Sequence, residues 1–62
     1  MSTDDEDIIR RTFAEASLAA REKGLSGLRA HRAVLNTAVV VSTRILHRAV
    51  TAEEVERVMG HV

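Results

Sequence analysis

The stretch from Gly27 to Val50, GLRAHRAVLNTAVVVSTRILHRAV, constrains the fold of this chain more than any other feature. It contains no proline, and its apolar residues recur at helical spacing, so it reads as one long helix over residues 27–50. Leu28, Leu35, Val39, Ser42, Leu46 and Val50 form one stripe, which Val34, Ala38 and Ile45 widen. Val40 and Val41 point elsewhere, leaving the middle of the helix apolar nearly all round. A helix of that kind is buried on more than one side, and one antiparallel neighbour from the same chain does not cover it. The β-branched run AVVVSTRI is the competing strand reading. Flanking helical periodicity and the lack of turn residues oppose it.

Two further helices flank this one. The first is expected over about residues 4–23, where Thr3 and Glu6 form a capping-box pattern and four successive acids, Asp4 to Asp7, suit the positive end of the helix dipole. Glu6 with Arg10 and Asp7 with Arg11 are i,i+4 pairs in the favourable order. Ile9, Phe13, Ala16 and Ala20 make a slim, alanine-rich seam that lets a neighbouring helix come close. Gly24 supplies a left-handed C-cap and Ser26 a cap for the next helix. A short third helix, about 52–59, opens on the capping box Thr51–Glu54, with Val55, Val58, Met59 and Val62 on its apolar face.

Sixty-two residues make one small domain, and a core of that size is marginal without help. With no cysteine, neither disulfides nor thiolate metal sites are available, which leaves association as the expected aid. The fold expected is therefore all-α: an antiparallel helical hairpin plus a short C-terminal helix, pairing into a dimeric four-helix bundle. Leu35, Val39, Val40, Val41 and Leu46 are its expected dimer interface, and Ala16, Ala20, Ala38 and Ser42 permit close helix approach. Asn36 is a candidate register-fixing polar residue beside the commoner reading of a solvated position.

The tetrapeptide HRAV occurs twice, from His31 and from His47. The copies lie 16 residues apart, a rotation of about 160° on one helix, so they face nearly opposite ways and mark no repeat unit. His31 reads as a boundary residue, His47 as a complement to the helix dipole with Arg44 and Arg48, and His61 as a solvated tail residue. No histidine has a ligand at i,i+4, so no metal site is expected. There is no nucleophile elbow, cysteine or tyrosine, and Ser42 is expected to bond back to the carbonyl one turn earlier. Gly24 and Gly27 flank a turn and fit no phosphate loop. No catalytic residue, cofactor or small-molecule substrate is expected.

Charge is unevenly placed: eight Arg or Lys against two Glu lie between Ile8 and Val50, with acids at both ends. A basic middle suits nucleic acid or an acidic protein; the simpler reading is that the acidic ends neutralise it within the fold. The segment around residues 16–35, including AAREKGLSGLRAHRAVL, resembles a helix-turn-helix DNA-binding motif through Ala20, Gly24 and Leu25. That resemblance implies a recognition helix from about Ser26, with Arg29 and Arg32 as DNA contacts. Lys23 stands where the motif has an apolar residue, and the anchor positions are the small Ala30 and Ala33. Phe13 is the sole aromatic residue, so no base-stacking platform exists. The acidic N-terminus is wrong for a leader and no apolar run spans a bilayer, giving a cytoplasmic expectation with no membrane partner. The expected function is non-catalytic protein–protein interaction, as a homodimer that also meets another protein, with a dimeric DNA-binding regulator as the alternative.

Overall fold

In a computed structural model, described over residues 3–60, the chain forms three helices: α1 (Thr3–Glu22), α2 (Gly27–Leu46) and α3 (Ala52–Val58). The Thr3 side chain, His61 and Val62 lie outside the described residues, and with them the expected first capping box and the tail readings.

The α1–α2 turn is fixed by backbone hydrogen bonds. Leu25 N–H donates to the Ala20 carbonyl and Gly24 N–H to that of Arg21, both at 3.0 Å. This is the Schellman pattern, and it requires a left-handed residue at Gly24, whose φ is +79°. Ser26 sits at the N-cap of α2, but its side chain makes no capping hydrogen bond, contrary to expectation. Gly27, the first residue of α2, also has a positive φ of +67°.

The hairpin is packed along its length. Ile9 and Ala38 are buried in one cluster, and Ala16, Ala20 and Val34 in a second, with half-buried Phe13 packed against both. Small residues at the seam bring the helices together as the alanine-rich sequence implies. Buried Thr12 donates its hydroxyl to the Ile8 carbonyl at 2.6 Å. The Ser42 hydroxyl is fully buried and has no hydrogen-bond partner, so the expected back-bond is absent there.

The long helix stops at Leu46, four residues before the expected Val50. His47 takes the left-handed conformation (φ 56°, ψ 37°), which a histidine tolerates better than most residues. It is thus the C-cap of α2 rather than a charge one turn inside it. The chain then turns back, and the Thr43 hydroxyl holds it there, accepting from Val50 N–H at 3.0 Å and donating to the Val50 carbonyl at 3.5 Å. This tie lets Val50 enter the core with Ile9, Ala38 and Val55. Thr51 caps α3 by accepting from Glu54 N–H at 3.1 Å.

Consequently α2 is covered by two helices of its own chain, not one. At 100° per residue Leu35, Val39 and Leu46 share one flank of α2, and these half-buried side chains pack against the cluster that holds Val50 and Val55. Ala33, Thr37 and Val40 share the opposite flank. The molecule is flat, 16 Å in its thinnest dimension, against about 10–12 Å for one helix with side chains.

Candidate protein-binding surfaces

At one end of the hairpin a guanidinium joins three elements. Arg48, in the α2–α3 connection, donates to both carboxylate oxygens of Glu54 at 2.8 and 3.0 Å, and to Asp5 of α1 at 3.2 Å. It also donates to the Ala49 carbonyl at 3.3 Å. The hydrogen bonds from Arg48 hold the Glu54 carboxyl below the ordinary carboxylate range, and Glu54 in turn raises the Arg48 guanidinium, with Asp5 adding to the effect. Arg48 was expected to answer the helix dipole; it answers two carboxylates instead. At the surface of α1, Arg10 pairs with Glu6 at 3.7 Å and with Asp7 at 3.4 Å, so Asp7 is held by Arg10 rather than by the expected Arg11.

The other end, where α1 runs into α2, carries no third helix. Seven residues of α3 extend about 10 Å, whereas each hairpin helix extends about 30 Å. Beyond the reach of α3 a cavity of about 300 Å³ opens, lined by Phe13, Ser17, Ala20, Arg21, Leu25, Ala30, His31 and Val34. Ser17 and Arg21 of α1 and His31 of α2 turn to the same face of the hairpin as Leu35, Val39 and Leu46. This cavity and the seat of α3 are therefore two halves of one groove. Leu28 lies on the same flank of α2, three residues before His31, and is 73% exposed.

The opposite face has a smaller depression of about 150 Å³, walled by four alanines (Ala16, Ala19, Ala20 and Ala33) with Lys23, Leu25, Val34 and Thr37. Val40, on the same flank of α2, is 54% exposed, and Ile45 is 50% exposed.

Of the five residues expected at a dimer interface, Leu35, Val39 and Leu46 are half-buried and packed within the chain, and Val41 is half-buried. Val40 alone is mostly open. Arg29 and Arg32 are both exposed, about 60° apart on α2. The two histidines are separated: His31 lines the groove at the open end, and His47 is exposed at the far end of α2. Among the described residues no group of three or more His, Cys, Asp or Glu side chains is placed to hold a metal ion, and no helix is long and apolar enough to cross a membrane.

Sequence reasoning missed the groove. Its signal was the stripe through Leu28, Leu35, Val39 and Leu46, which is longer than a helix of α3's length can cover. Comparison with family models, curated proteins and solved structures finds no match to this chain.

Proposed function

We infer that this chain acts through contact with other proteins rather than by catalysis, in the cytoplasm, and that two copies pair as a four-helix bundle. The observation that carries the reading is the make-up of the core. Among the described residues, its buried apolar members are one isoleucine, three valines and three alanines; no leucine is among them, and Phe13 is only half-buried. Meanwhile Leu28, Val40 and Ile45 are half exposed or more. A domain of this size with so small a core is marginal alone. A second hairpin laid on the alanine-walled face, over Ala33, Thr37 and Val40, doubles the layers and covers that face.

The charged groups support a structural role for the acids. Asp5 and Glu54 are engaged by Arg48, and Glu6 and Asp7 by Arg10. Arg48 ties α1 to α3 through Asp5 and Glu54, while Glu6 and Asp7 pair with Arg10 within α1.

Sedimentation velocity on the unmodified chain tests the reading, with an expected mass of twice 6.8 kDa. Val40→Glu converts it to monomer, because the dimer buries a charge without a partner. Leu28→Glu, on the other flank, leaves the dimer intact. A stable, fully helical monomer of the unmodified chain overturns the reading.

Duplex binding is the second reading, and one observation favours it: Arg29 and Arg32 project from the first turns of α2, just after the Schellman turn. Against it, α1 lies along α2 from Ile9 to Ala20, while a helix-turn-helix pair crosses steeply. Retardation of a DNA duplex at low salt, lost when both arginines become glutamine, favours this second reading.

A further inference from the structure

The geometry points to a docking site for an acidic amphipathic helix of another protein in the open half of the α1–α2 groove. This goes beyond self-pairing and uses the opposite face of the hairpin.

The groove itself displays its occupant. In its closed half the chain seats a short acidic helix, Ala52–Val58, which buries Val55, lays Val58 and Met59 against the core, and carries Glu53, Glu54 and Glu56. One of those acids is held by an arginine, Arg48, through a two-pronged contact. The open half continues the same floor, with Phe13 and Val34 at its base and Leu25 and Leu28 beside it. Arginines stand beside the open half as well. Arg21 lines the cavity with half-buried His31, and Arg32 and Arg29 stand exposed on the outer side of α2.

Counting residues 14–37 as the open end gives four cations (Arg21, Lys23, Arg29, Arg32) against two acids (Glu15, Glu22), a net +2; Arg21 lines the groove, whereas Lys23 lines the depression on the opposite face. The remaining residues carry five cations and seven acids, a net −2. An apolar groove with a basic rim suits a helix with apolar anchors at i, i+3 and i+4 and carboxylates between them. A basic or uncharged helix meets the same floor without the rim's attraction.

The test is a titration of isotopically labelled full-length chain with a synthetic peptide of its own residues 50–60, VTAEEVERVMG, followed by NMR. The peptide stands in for the acidic partner helix. Shifts centred on Ser17, Arg21, Leu25, Leu28 and His31 support the site. A control peptide with all three glutamates changed to lysine binds about tenfold more weakly or worse, equivalent to about 1.4 kcal/mol. Arg21→Glu with Arg32→Glu, both at exposed positions, weakens the native peptide without changing helicity. Shifts centred on Val39, Leu46 and Val50 mean that the peptide displaces α3, and they overturn the proposal. So does an unmoved spectrum at millimolar peptide. Movement of the groove residues with protein concentration alone assigns the groove to a second copy and overturns it as well.

Discussion

The two ends of this hairpin are built from the same pair of helices and differ first in cover: α3 sits on one and not on the other. At the covered end Ile9, Ala38, Val50 and Val55 form a closed cluster, braced by Thr43, Arg48 and Thr51. At the uncovered end Ala16, Ala20 and Val34 make a thinner cluster beneath an open groove. A two-helix layer cannot enclose its own side chains, because each helix meets a neighbour on one side only. The difference shows how much of this small fold's order rests on seven residues of α3, and why the rest of the groove is available to a partner.

The comparison breaks most readily at Ile9. Ile9→Ala is expected to cost about 2–5 kcal/mol by urea denaturation, enough to unfold a domain this small. Val34→Ala, the largest truncation within the buried Ala16–Ala20–Val34 cluster, loses two methyl groups worth about 0.8 kcal/mol each, and costs about 1.6. An equal loss per carbon removed at the two sites would show that the ends are equally well packed.

Ser42→Ala tests the packing at the covered end. It removes a fully buried hydroxyl with no hydrogen-bond partner, and alanine is the better helix former. It should stabilise by about 1 kcal/mol; destabilisation would mean that the hydroxyl does have a partner.

The Arg48 clasp gives the smallest effect, and a signed one. Arg48 holds the Glu54 carboxyl below its ordinary range in the folded chain, so the unfolded chain takes up a proton there more readily. The stabilisation is present above the unfolded value, about 4.3, and is lost as pH falls through the lower folded value. The Tm of Glu54→Gln should therefore lie below that of the unmodified chain at pH 7, and the gap should close on acidification. A gap that persists in acid assigns the loss to packing.

Much of this architecture was legible in the residues. The seam Ile9, Ala16 and Ala20 at helical spacing, Gly24 at the turn and the Thr51–Glu54 cap are local signals, and each is realised. The end of α2 was not legible. His47 is neither glycine nor proline, and what turns the chain there is the tie from Thr43 to Val50 and the reach of Arg48 to Asp5, 43 residues away in sequence. Those are tertiary contacts with no periodic signature. Missing that break made the apolar middle of α2 look barer than it is, because α3 folds back over Leu35, Val39 and Leu46 and leaves Val40 exposed. The groove went unread for the same reason, since a half-filled groove exists only once α3 is in place.

Amide hydrogen exchange, followed residue by residue, measures the contrast between the ends most directly. Amides around Ala38, Ser42 and Val55 should exchange only through global unfolding, while those around Ala16, Ala20 and Ala30 exchange faster through local opening. Protection at the Ala16–Val34 end equal to or greater than that at the α3 end would contradict a hairpin finished at one end and open at the other.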